Sequence, residues 1–316
     1  KRFQFQPLMN NASPGLVRAL SDGKADVHRF TRPAMATVFG IYIADPDETY
    51  ACQAAREAFE ELDRLEHELS RFIPTSDISR VNQSPPGRPV RIGLEAFECL
   101  RDCARLYQET YHAFDITLGR RIDVWKYPQP AGPPPGAWIP PDPERPFPLW
   151  LNAVDHTVQW TEGGWHLDLG GYGKGYALGR LADLLRDWGL EAALLHGGTS
   201  TVLALHPPPG CAGWPIALRD PQTGEVIRNI DLRDRAVSGS GLAKGPHILD
   251  PRTGGPVTRT RAAWALAPGA AESDALSTAF MILPPGEIRN FCKSRPDTEA
   301  IVLGAGEGNG AEGTET

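Results

Sequence analysis

Four segments carry residue types and spacings that could do chemistry. The first is Asp168-Leu-Gly-Gly-Tyr-Gly-Lys174-Gly, with four glycines in eight residues. Such a turn lets backbone approach a ligand closely and aims helix N-terminal N–H groups at an anion. Lys174 adds a point charge suited to phosphate. The run is not a Walker A loop, because Asp168 stands where glycine should and Gly175 replaces Ser/Thr. Nor does it fit GxGxxG, so a Rossmann or P-loop nucleotide site is disfavoured. By itself it also reads as a tight strand–helix connection.

The second segment is Ser273-Asp274-Ala-Leu-Ser-Thr278. Asp274 and Thr278 are four apart and share one helix face. A carboxylate and a hydroxyl are hard oxygen donors of the kind Mg²⁺ takes alongside phosphate and water. An acidic first helical turn with a buried threonine produces the same spacing. The third is Gly245-Pro-His247-Ile248-Leu-Asp250-Pro-Arg-Thr-Gly254, in which DPRTG signals a turn. His247 could act as a general base or be structural. The fourth is Ala113-Phe114-Asp115, where an aromatic beside an acid could bracket a planar ring or simply cap a loop. Met35-Ala36-Thr37, leading into the first expected strand, is unremarkable alone.

The 316 residues suit one large domain or two coupled ones, and 41% are apolar, enough for a sizeable core. With 39 acidic and 32 basic side chains the net charge is −7, so a basic nucleic-acid surface is not expected. The five cysteines are odd in number and form no CxxC pair, against a zinc site or disulfide framework. Cys52 and Cys99 fall on apolar helix faces and read as core filler. No apolar run is long enough to span a membrane and no signal peptide is visible. The first residue is Lys1, so the compartment is left open: periplasmic or membrane-associated if a leader was removed, otherwise cytoplasmic.

These residues must be held by elements that hydropathy can outline. Thr37–Ala44 reads as a strand. Cys52, Ala55, Phe59, Leu62, Leu65 and Leu69 repeat at helical steps across residues 50–69. A second amphipathic helix is expected over 93–111. Pro128 to Pro148 is proline-rich and reads as an extended insertion (128–149) within one domain. Thr157–Trp160 and Trp165–Leu169 look like a hairpin turning at Glu162-Gly163-Gly164. A helix over 175–188 should stop at Gly189. Short strands follow at 192–195, 201–205, 215–219, 226–232 and 262–267, then a helix over 273–283 with Glu272 to Asp274 charging its first turn. Residues 1–30 are expected to form an arm, 31–303 a single domain and 304–316 a disordered tail. Helices and short strands mix without βαβ alternation, which favours an α+β fold of mixed or antiparallel sheets with packed helices.

Taken in series, these segments resemble the FAD:protein FMN transferase (ApbE) family. The order runs MAT, LSRF with DISRVN, AFD, DLGGYGKGYA, HGGT, HILDPRTG and SDALSTAF, from about Met35 to Leu283. The resemblance implies an α+β fold that binds FAD with Mg²⁺. It implies that Met35, Phe72, Ala113, Phe114 and Asp115 line the FAD site, and that Asp168, Lys174 and Ile248 contact the cofactor. It places Mg²⁺ on Asp274, Thr278 and the main-chain carbonyl of Gly171, with His247 beside the pyrophosphate. The implied reaction passes FMN from FAD to a Thr/Ser hydroxyl of an acceptor flavoprotein and releases AMP, with His247, Asp274 and Lys174 as its catalytic residues. The same site could use water as acceptor, an FAD pyrophosphatase, or bind FAD without turnover. Three departures stand out: MAT replaces the usual MGT, the Ser238–His247 segment is short, and HGGT lacks the acidic residue often found after the paired glycines.

Overall fold

The computed structural model describes residues 26–126, 146–242, 245 and 247–304. Most of the expected arm, most of the proline-rich insertion and the expected tail beyond Gly304 lie outside these residues. A seven-stranded antiparallel sheet organises the described chain. Its order is β1 (Val27–Ala34), β2 (Thr37–Ala44), β6 (Ala193–Gly197), β7 (Thr201–Ala204), β10 (Arg235–Gly241), β11 (Thr260–Ala267) and β12 (Glu299–Gly304). A small sheet orders β3 (Val90–Arg91), β5 (Thr157–Trp160) and β4 (Leu149–Asn152), and a hairpin pairs β8 (Trp214–Arg219) with β9 (Val226–Leu232). The expected α+β class with antiparallel pairing is what the chain adopts.

The sheet is covered on both faces, and β11 shows how. Ala263 and Ala265 join the core on the helix side, while Ala262, Trp264 and Leu266 join Trp214, Leu218 and Leu232 of the β8–β9 hairpin on the other. That alternation is the period of two that a pleated strand imposes. On the helix side lie α1 (Glu48–Leu69), α5 (Gly173–Asp187) and α6 (Ala270–Ile282). The first of these buries Ala55, Phe59, Leu62, Leu65 and Leu69, as the 3–4 spacing predicts. Helix α6 differs: ten of its thirteen residues are buried, so it is a central helix packed all round. It meets α5 so closely that a Cβ on Gly175 would lie 2.1 Å from the Ala270 carbonyl oxygen. The remaining helices are α2 (Asp77–Asn82), α3 (Leu94–Glu109), α4 (Gly119–Lys126) and α7 (Pro285–Ser294). Among the described residues no helix is long and apolar enough to cross a membrane.

Three expectations need correction. The arm was expected to reach residue 30, but β1 already pairs with β2 from Val27 onward. The tail was expected from residue 304, yet Gly304 closes β12 opposite Thr260. Thr157–Trp160 does not fold back on Trp165–Leu169; it pairs with β4 and β3. The 165–169 segment runs beside residues 116–118 instead. There the His166 N–H reaches the Thr117 carbonyl (3.1 Å) and the Asp168 N–H reaches that of Ile116 (2.7 Å). The Asn82 side-chain amide takes the place of a partner strand on the other side, accepting from the Leu167 N–H (2.7 Å) and donating to its carbonyl (3.1 Å). This docking sets the AFD loop against the glycine turn.

Candidate active site

The glycine turn links that segment to α5. One Asp168 oxygen accepts the Gly170 N–H at 2.7 Å, and the other pairs with the Arg71 Nε at 3.1 Å. The Leu169 carbonyl accepts from the N–H groups of Tyr172 (2.9 Å) and Gly173 (2.7 Å). Gly171 is closely packed by side chains. An added Cβ would lie 3.2 Å from the Thr278 Oγ1 and 3.4 Å from a Phe114 ring carbon. The turn therefore sits between the buried Phe114 ring and α6.

Helix α6 supplies the other half. It starts at Ala270, so Glu272 lies in the first turn and Asp274 lies beyond it, a correction to the expected boundary. Asp274 is only 4% exposed. Four donor contacts satisfy its carboxylate. Lys174 Nζ lies 3.0 Å from Oδ2 and 3.2 Å from Oδ1, the Gly175 N–H donates to Oδ2 (3.2 Å), and Thr201 Oγ1 donates to Oδ1 (3.2 Å). The Lys174 ammonium also reaches the Gly170 carbonyl at 3.3 Å. One turn along α6, Thr278 Oγ1 and Ser277 Oγ lie 3.3 and 2.8 Å from Ser240 Oγ of β10.

The Asp274 carboxylate thus meets α5 at Lys174 and Gly175, and the Thr278 hydroxyl, one turn along α6, lies against Gly171, whose carbonyl is the third donor the resemblance implies. All three are hard oxygen donors, and the site carries a negative charge that one cation already compensates. The donor chemistry fits Mg²⁺. Among the described residues no group of three or more His, Cys, Asp or Glu could hold a metal, so these residues form no carboxylate or imidazole cage.

The other expected residues are held by separate local contacts. Met35 and Ala36 form the β1–β2 turn with φ of 50° and 57°, a left-handed pair that usually calls for Asn or Gly. The Met35 N–H donates to Glu66 Oε1 of α1 at 2.7 Å. Phe72 is 73% exposed, its ring 4.5 Å from the Arg71 guanidinium. Ala113 and Phe114 are buried, and Asp115 Oδ1 accepts both the N–H (2.8 Å) and the hydroxyl (2.7 Å) of Thr117. Ile248 is buried and pairs its carbonyl with the Val257 N–H. His247 is half-buried, with Nδ1 2.8 Å from the Gly245 carbonyl. A carbonyl only accepts, so Nδ1 donates and Nε2 keeps its lone pair in the neutral ring.

Sequence reasoning missed Arg71, Thr201 and Ser240. Arg71 stood beside a residue already singled out, inside LSRF, and a cation flanked by Ser70 and Phe72 was a usable signal. Thr201 and Ser240 gave none, since strand residues with small hydroxyl side chains are common and only sheet register brings them under α6.

The sequence profile of the ApbE family matches residues 35–302. The chain belongs to the ApbE family. Proteins named FAD:protein FMN transferase are similar over nearly the whole length: one from Klebsiella pneumoniae is 24% identical over 94% of this chain and 87% of its own. Another, from Treponema pallidum, is 28% identical over 89% and 86%. Among solved structures, the flavin transferase ApbE from Vibrio cholerae superposes with a TM-score of 0.75 at 21% identity, over 89% of this chain and 94% of that one. The ApbE protein from Thermotoga maritima gives 0.76 at 23%, over 90% and 96%. The structural neighbours show that the ApbE fold is shared.

Proposed function

We propose that this ApbE family member transfers FMN from FAD to a Ser/Thr hydroxyl of an acceptor flavoprotein, with Mg²⁺, releasing AMP. One observation supports the reading: Thr278 lies against Gly171 of the glycine turn, and Asp274, one turn earlier on the same helix face, holds Lys174 of that turn. Family membership and the names of its relatives supply the substrate class. Asp274, Thr278 and the Gly171 carbonyl would hold Mg²⁺, which when bound draws charge from pyrophosphate oxygens. Lys174 adds a second positive charge at the same place.

In the reaction the acceptor oxygen forms a bond to the FMN phosphorus while the bond from that phosphorus to the bridging oxygen breaks. AMP leaves with the bridging oxygen. The hydroxyl proton passes to a base, and His247 Nε2 is the candidate because its Nδ1 is already committed as a donor. Phe114 closes the apolar side of the turn and Met35 lies at the strained β1–β2 turn, both suited to a flat ring system.

Incubation with FAD, MgCl₂ and an acceptor flavoprotein, followed by intact-mass analysis, tests the reading. A covalent FMN adduct on the acceptor with equimolar AMP is expected. Free FMN with AMP, or FAD that survives unchanged, would refute it.

A further inference from the structure

The glycine turn is tied down at both ends by side chains from distant elements. At its start, the Arg71 guanidinium bridges two acids. Its terminal nitrogens hydrogen-bond both oxygens of Asp123 on α4 (2.6 and 2.8 Å), and Nε lies 3.1 Å from Asp168 Oδ2 as an ion pair. The Arg71 side chain is only 6% exposed, so this is a buried fork. Asp168 in turn holds the Gly170 N–H, which leaves one oxygen on each neighbour. At the other end, Tyr172 is 1% exposed and its hydroxyl donates to Asp102 Oδ2 of α3 at 3.2 Å. Its ring stacks near Tyr176, whose hydroxyl donates to Glu98, also on α3, at 3.2 Å.

Between these two latches lie Gly170 and Gly171, residues with wide backbone freedom. Unheld, they would sample many shapes, and few of those seat Gly171 between the Phe114 ring and Thr278. We propose that Arg71 and the Tyr172–Asp102 pair are positioning residues that clamp the glycine turn into its ligand-ready shape. Ordering the turn before binding removes an entropic cost from the bound state. Asp168 acts here by linking Arg71 to the turn. The kinetic part of this proposal rests on the FMN-transfer reading; the structural part does not.

The test compares Arg71→Ala, Arg71→Lys and Tyr172→Phe with the unaltered protein. Hydrogen exchange of the ligand-free proteins reads the amides of Gly170, Tyr172 and Gly173. Each variant at Arg71 is expected to speed their exchange about tenfold, the scale of losing one hydrogen bond to a charged group, with α1 and α3 unchanged. The MgCl₂ concentration giving half-maximal FMN transfer is expected to rise by a similar factor. Lysine is not expected to rescue, because a point charge cannot span Asp123 and Asp168 as the fork does. Tyr172→Phe should show the same effects in smaller measure, and it serves if Arg71→Ala does not fold. Exchange at the turn unchanged in all three variants would overturn the clamp, as would an unaltered MgCl₂ requirement or full rescue by lysine. Absence of FMN transfer by the unaltered protein would refute the functional reading alone, since the exchange result is read without substrate.

Discussion

Replacing Lys174 with methionine should convert a satisfied buried carboxylate into an orphan. The Asp274 side chain is 6% accessible and that of Lys174 is 20%. Removing one partner of a buried ion pair costs about 3–5 kcal/mol. The Gly175 N–H and Thr201 hydroxyl stay on the carboxylate, and Lys174 is not fully desolvated, so the cost falls at or just below the bottom of that range, about 2–3 kcal/mol. For a chain of 316 residues, with an unfolding entropy of about 2.1 cal/mol/K per residue, that lowers Tm by roughly 3–5 °C. MgCl₂ should then act more strongly on the variant than on the unaltered protein. In the variant an added cation is the sole counter-charge; in the unaltered protein the ammonium already supplies one. At a hundred times its Kd the ion would return about 2.7 kcal/mol, enough to restore the loss. The double variant Lys174→Met, Asp274→Asn has no orphan charge, so it should melt above the single variant and ignore Mg²⁺. Scanning calorimetry with and without MgCl₂ measures all six melting temperatures. If the single variant melts within a degree of the unaltered protein, or if Mg²⁺ shifts single and double variants equally, the cation site at Asp274 is refuted.

Other outcomes follow from neighbouring positions. Ala36→Gly relieves a left-handed alanine (φ 57°) and should stabilise by about 0.5–1 kcal/mol, seen as a higher Tm. Gly175→Ala drives a Cβ toward the Ala270 carbonyl oxygen, 2.1 Å away, where only backbone can yield; soluble folded protein should fall sharply. Gly171→Ala meets softer neighbours at 3.2 and 3.4 Å, so the fold should persist while FMN transfer falls about tenfold, a readout that separates the two glycines. Burial holds the His196 imidazole below its ordinary pKa, with Arg29 adding to the effect, and burial and Arg71 do the same to His166. The unfolded chain therefore binds these protons first as pH falls. Stability should be complete above about pH 6.5 and decline below it, and His196→Gln should flatten that acid limb in melts taken from pH 7.5 to 5.

What the sequence revealed of the fold follows the strength of the local pattern. Helix α1 announced itself because Ala55, Phe59, Leu62, Leu65 and Leu69 repeat on one face of a long element. Strand β10 did not, because RAVSGSG reads as a loop. Its Gly239 is there for packing: a Cβ would lie 2.7 Å from the Trp264 ring across the ladder. Strand β1 hid behind charge. His28, Arg29 and Arg32 suit an edge strand whose polar groups meet solvent or α1, where Arg32 pairs with Asp63. The 165–169 pairing was misread because its partner on one side is an asparagine side chain from α2, and no periodicity encodes that.

The site shows the same division in sharper form. Spacing alone put Asp274 and Thr278 on one face, and it equally allowed a first-turn aspartate stabilising a helix terminus. The helix start decides between these. With Ala270 as the first residue, Asp274 stands one turn inside, past the free N–H groups it would serve as a terminal charge. A carboxylate buried there has no local reason to be charged, so its partners must come from elsewhere in the chain. They do, from Lys174 and Thr201, 100 and 73 residues away. Burying a charge this way costs stability that an apolar residue would not. A helix whose other buried residues are Ala, Ser, Leu, Phe, Met and Ile keeps that cost at one point, beside the first turn of α5.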